Sequence, residues 1–121
     1  MEETDAELVN YVRQFLYEFK SLILEKKLIV KDHVKNMESL LELGLTAKQR
    51  EEIILALSTL DYSDGPIKDE LKAGQMWVFG KHIEGVEIYI KLKIAGRPGN
   101  EYPICFSFHK SEYPLNYPFI R

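Results

Sequence analysis

Two hydrophobic rhythms run along the chain, and they divide it. Leu8, Val12, Phe15, Leu16, Phe19, Leu22 and Ile23 recur at steps of three and four, which places them on one stripe of an amphipathic helix. A second helix is expected over 31–43, KDHVKNMESLLEL, with Val34, Met37, Leu40 and Leu41 turned inward. Gly44 follows as its stop, because glycine takes the left-handed turn that ends a helix without steric cost. In LTAKQREEIILALSTL, Thr46 and Gln49 have capping-box spacing ahead of Ile53, Ile54 and Leu57, and a third helix follows. YSDGP at 62–66 reads as a turn organised by Asp61 and Asp64 through side-chain to backbone bonds.

Beyond Gly74 the period falls from 3.6 to 2. In GQMWVFGKHIEGVEIYIKLKI two extended runs flank Glu84-Gly85, a pair suited to a two-residue hairpin turn because Gly85 accepts positive φ. That turn sets Ile83 against Val86, and with it Gly80 against Tyr89 and His82 against Glu87. One face then collects Trp77, Phe79, Ile83, Val86, Ile88, Ile90, Leu92 and Ile94, a surface the helices must cover. The other carries Val78, Gly80, His82, Glu87, Tyr89, Lys91 and Lys93. AGRPGNEY is a loop, and PICFSFHK is a third strand with Ile104, Phe106 and Phe108 toward the core and Cys105, Ser107 and His109 on the open face. The expected fold is α+β, with N-terminal helices packed on one face of a small antiparallel sheet. It forms one domain: a helical part over 1–60, a sheet over 74–110 and a tail over 111–121.

Composition narrows the class without choosing a function. Of 121 residues, 45% are apolar and 29% charged, the balance of a soluble globular protein. The single cysteine, Cys105, allows no internal disulfide and reads as a small hydrophobe. No apolar run reaches the ~18 to 20 residues of a membrane span, and the acidic opening MEETDAE lacks the positive flank of a secretory signal. A cytoplasmic location without membrane contact is expected. The net charge of −3 conceals an asymmetry: residues 1–66 carry 8 Lys/Arg against 13 Asp/Glu, and residues 67–121 carry 8 against 6. An anionic ligand belongs to the second half.

The open face holds the candidate chemistry. Lys91 and Lys93 project from one strand about 7 Å apart, near the spacing of successive phosphates. Gly80 opposite Tyr89 leaves the phenol ring uncovered to stack on a base. His109 supplies a group that titrates near neutrality and exchanges protons between oxygens. His109 is the candidate acid or base, Tyr89 with Lys91 and Lys93 forms a platform for a base and phosphates, Lys81 and Lys68 are secondary phosphate contacts, and Tyr113 belongs to a tail that walls the face or covers the sheet edge. Asp61, Asp64, Asp69 and Glu70 lack calcium-loop spacing, and the chain has no paired thiols or histidines for zinc, so neither metal nor cofactor is expected. His82 is taken up by Glu87. The prolines after Tyr113 and Tyr117 hold the tail extended, and it packs back on the sheet. A competing reading is a non-catalytic nucleic-acid or protein-binding module, with 32–58 as a helix-turn-helix and Lys48 and Arg50 meeting DNA. Glu51, Glu52 and the negative sum of that half oppose it.

Four segments, LELGLTAKQREEIILALSTLDY, GQMWVFGK, VEIYIKLKI and CFSFHK, together resemble the MqsR-type toxins of bacterial toxin–antitoxin systems over residues 28–110. That resemblance implies a RelE-like endoribonuclease that cleaves mRNA without a metal by driving a 2′-hydroxyl onto the neighbouring phosphate. It places the family's catalytic tyrosine at Tyr89 and puts His109 where the family has a lysine. Val78 stands where a glutamine is expected, and Lys68 lies downstream of another lysine position. The resemblance also implies a cognate antitoxin partner, zinc-binding and encoded alongside.

Overall fold

The computed structural model describes residues 2–31 and 33–120. Its elements are α1 (Glu2–Glu25), β1 (Ile29–Val30), α2 (Val34–Leu43), α3 (Ala47–Leu55), a 3-10 turn at Thr59–Asp61, β2 (Tyr62–Lys68), β3 (Gln75–Ile83), β4 (Val86–Arg97) and β5 (Asn100–Lys110). The strands form one sheet in the order β1-β5-β4-β3-β2, with helices against it: an α+β fold. Thr46 and Gln49 make the expected reciprocal cap on α3. Gly44, at φ 66°, ends α2. Among the described residues no helix is long and apolar enough to cross a membrane.

The hairpin register is the one the sequence predicts, with Ile83 opposite Val86, His82 opposite Glu87 and Gly80 opposite Tyr89. Val12, Phe15, Leu16, Phe19 and Ile23 of α1 pack with Trp77, Phe79, Ile88, Ile90 and Leu92 in one buried cluster. The apolar face of the sheet is thereby removed from water, the main favourable term in folding.

The loop expected over 95–102 is instead a tight turn, with β4 running to Arg97, β5 starting at Asn100 and Ala95 paired with Tyr102; four further features depart from expectation. First, residues 62–66 belong to a strand: β2 pairs antiparallel with β3 through two register shifts, and turn-favouring residues sit at the irregularities. Second, β1 pairs parallel with β5, so five strands make a mixed sheet where three antiparallel strands are expected. Third, a bulge between the Lys91–Ser107 and Leu92–Cys105 pairs leaves Phe106 as one extra residue. An extra residue shifts the alternation by one. Cys105 therefore falls on the core side and is fully buried, where burial raises its thiol pKa to about 12, and Ile104 pairs with Lys93 on the other face.

Fourth, α2 packs Leu40 against the core as expected, with Leu43 beside it, but also turns a polar stripe inward. Asn36 and Ser39 are buried, while Val34, Met37 and Leu41 are 66%, 56% and 84% exposed; Asp32, expected at its start, lies outside the described residues. The cause is the edge of β5. β1 covers that strand only at Ile104 and Cys105, and the backbone groups beyond need partners. The Asn36 amide donates to the carbonyls of Lys31 and Phe106 at 3.0 and 3.1 Å, and its oxygen accepts from Phe108 N–H at 2.9 Å. Ser39 Oγ accepts from Lys110 N–H at 3.0 Å. On the opposite edge strand, β2, the Gly65 backbone is satisfied locally: the Tyr62 hydroxyl donates to its carbonyl and the Asp64 carboxylate accepts from its N–H.

Candidate functional site on the open sheet face

Past Lys110 the chain turns across the open face of the sheet as a strap. Glu87 anchors it: its backbone carbonyl accepts from Ser111 N–H at 2.8 Å, and its carboxylate accepts from Leu115 N–H at 3.0 Å and the Tyr117 hydroxyl at 2.6 Å. Burial and this bond hold the Tyr117 phenol far above its ordinary pKa. Farther on, Phe119 stacks on Tyr62 at 4.9 Å. The strap occupies the space over Gly80, where a Cβ would collide with the Tyr117 hydroxyl and Leu115. Gly80 thus makes room for the tail, not for a base, because packing fills any surface that a missing side chain opens.

At the other end of the same face, Asp69 and the loop that follows it close over Lys93. Lys93 is 2% exposed, and its ammonium pairs with the Asp69 carboxylate at 2.6 Å. The hydrogen bond from Lys93, reinforced by Leu71 N–H, holds the Asp69 carboxyl down at about 2. An ammonium buried and matched in this way is not available to a phosphate.

Between strap and loop, the β4–β5 register sets Tyr89 opposite His109 and Lys91 opposite Ser107. The Tyr89 and His109 rings stack at 5.4 Å and 17°. With Glu112 and Tyr113 these four residues line a cavity of about 200 Å³. His109 Nδ1 lies 3.0 Å from the Lys110 carbonyl. A carbonyl oxygen only accepts, so in the neutral ring the proton of that bond sits on Nδ1 and the lone pair on Nε2. Lys91 makes no ion pair among the described residues. Burial, with Tyr113 and Asp64 nearby, raises the Tyr89 pKa, which keeps the phenol a hydrogen-bond donor at neutral pH. The Lys35 ammonium, bonded to Glu112 at 2.9 Å, lowers the Glu112 pKa. A second cavity of about 270 Å³ adjoins the first, sharing Tyr89 and Tyr113 and bounded by Asp64, Val78, Leu115 and Asn116.

Of the seven residues singled out from the sequence, His109, Tyr89, Lys91 and Tyr113 are brought together in one cavity. Lys93 lies on the same face but is covered. Lys81 pairs with Ile88 and Lys68 with Gln75, and both therefore project on the helix side, away from His109; Lys81 is also bonded to Asp61 at 3.4 Å. His82 does stand by Glu87, at 3.7 Å. Glu112, Asn116 and the anchoring role of Glu87 have no place in the sequence reading, and Asp64, read there as a turn residue, bounds the second cavity. The paired signal of a strand glycine opposite a tyrosine and a distant YPLNYPF tail was the available clue. In the helical half, half-buried Arg50 has its Nε without a hydrogen-bond partner among the described residues. Comparison of the chain with family models, with curated proteins and with solved structures finds no match.

Proposed function

We propose that the protein is an endoribonuclease, a RelE-like toxin that cleaves mRNA at the cavity around His109. The observation that carries this reading is the pairing of a bare imidazole nitrogen with an uncommitted ammonium, His109 Nε2 and Lys91, in one cavity walled by Tyr89 and Tyr113. His109 Nε2 takes the proton of a ribose 2′-hydroxyl, and the 2′-oxygen attacks the adjacent phosphorus. Lys91 neutralises the charge that gathers on the non-bridging oxygens, and the Tyr89 phenol donates a hydrogen bond to the same phosphoryl group. The imidazolium returns its proton to the departing 5′-oxygen. The products are a 2′,3′-cyclic phosphate and a 5′-hydroxyl, with no atom unaccounted for. Lys93 and Lys81, buried or paired, have no part in this scheme. The same reading includes a cytoplasmic setting and a cognate antitoxin, zinc-binding and encoded alongside.

The test is cleavage of a defined single-stranded RNA by purified protein in the presence of chelator. Cuts bearing 5′-hydroxyl ends are expected, slowed roughly 10²- to 10⁴-fold in His109→Ala and less in Tyr89→Phe. A His109→Ala protein as fast as the parent sinks the assignment.

A further inference from the structure

The helix-covered side of the sheet carries an open groove that the proposed nuclease does not use. It has a volume of about 500 Å³ and runs between α1 and the margin of the sheet, with Leu8, Tyr11, Pro66 and Trp77 along it and Glu7 and Glu18 at its rim. Glu7 and Glu18 are eleven positions apart on α1, about 16 Å along the helix axis. The groove is therefore elongated along the helix, with apolar side chains and the amides of Gln14 and Gln75 between the two carboxylates, and the Glu18 carboxylate accepts from Gln14 at 3.3 Å. Among the described residues no lysine, arginine or histidine lines it. The whole of α1 has six Asp/Glu against two Lys/Arg, so the helix wall of the groove is negative, while Lys68, opposite Gln75, stands on the sheet side of the same face. A chain of one sign at its ends and apolar between is matched by a partner of the opposite sign with the same spacing. An extended polypeptide covers about 16 Å in about five residues.

We propose that this groove docks an extended segment of a partner polypeptide in which two basic residues stand about five positions apart, with apolar side chains between them. The basic residues meet Glu7 and Glu18, and the apolar ones lie against Tyr11 and Trp77. The groove is on the face of the sheet opposite His109, so this proposal stands whether or not the nuclease reading does.

Trp77 is the chain's single tryptophan and is 8% exposed at the groove, so its fluorescence reports on this place alone. The probe is the tryptophan-free peptide acetyl-Lys-Leu-Ser-Leu-Ser-Lys-amide, titrated at ~50 mM salt, where charge is weakly screened. A saturable change in Trp77 emission is expected. It weakens roughly tenfold in Glu7→Lys/Glu18→Lys, and less in Glu7→Gln/Glu18→Gln, as the loss of two exposed ion pairs predicts. Both carboxylates are exposed, and an unchanged circular dichroism spectrum confirms that the variants fold. The proposal is overturned by an absence of saturable change, by equal binding of the analogue with Glu in place of both Lys, or by variants that bind like the parent. A shift with protein concentration alone assigns the groove to a second copy and overturns it as well.

Discussion

Helix α1 meets the sheet across its face and buries Val12, Phe15, Leu16, Phe19 and Ile23; helix α2 meets it along the β5 edge and buries Asn36 and Ser39. Both are amphipathic, yet α2 turns Val34, Met37 and Leu41 to solvent. The difference lies in what each helix covers. A sheet face offers apolar side chains, and burying carbon against carbon is favourable at about 25 cal/mol per Å². A sheet edge offers backbone N–H and C=O groups, and leaving one buried without a partner costs about 1 to 3 kcal/mol. Along β5 satisfying those groups outweighs burying three apolar side chains on a short helix.

Four substitutions break or sharpen this contrast. Phe19→Ala, in the centre of the α1 contact, is expected to destabilise by about 3 to 5 kcal/mol, a large share of the ~5 to 15 kcal/mol typical of a domain. Chemical denaturation measures it. Asn36→Leu is the sharper test, since it adds apolar volume where a pattern-based reading wants it and removes three hydrogen bonds. A loss of about 2 to 3 kcal/mol is expected from the stranded Phe108 N–H and Phe106 carbonyl; a gain in stability would show that α2 is not held by the edge. Ser39→Ala removes one bond to Lys110 N–H and should cost about 1 kcal/mol, with faster amide exchange confined to the end of β5. Leu41→Gln, on the exposed stripe, should change stability by no more than about 0.5 kcal/mol. A large loss there would mean that the stripe is buried in solution.

The same contrast recurs within the candidate site. Lys91 and Lys93 are successive outward residues of β4, and alternation places both on the open face, as read from the sequence. One lies in the cavity beside His109 and the other is sealed beneath Asp69 and the loop after it. Periodicity tells which face a side chain leaves from. It does not tell what distant segment comes to lie on top. Gly80 illustrates the same limit: its place opposite Tyr89 is legible from the hairpin, whereas the arrival of Leu115 and Tyr117 above it depends on a tail more than thirty positions away.

What the sequence determined by itself was local: the α1 stripe, the Thr46 cap and Gly44 stop, the change of period after Gly74, the Glu84-Gly85 turn and through it the pairing that sets Tyr89 on the open face. These rest on helical and strand periods and on the φ preferences of single residues, which act over a few positions. The tertiary structure alone decided the bulge at Phe106 that buries Cys105, the polar packing of α2, the burial of Lys93 and the seating of Leu115 and Tyr117 over Gly80. Each of these turns on whether a backbone group, a charge or a bare surface finds its partner far along the chain. That question is answered only when the distant segments have met.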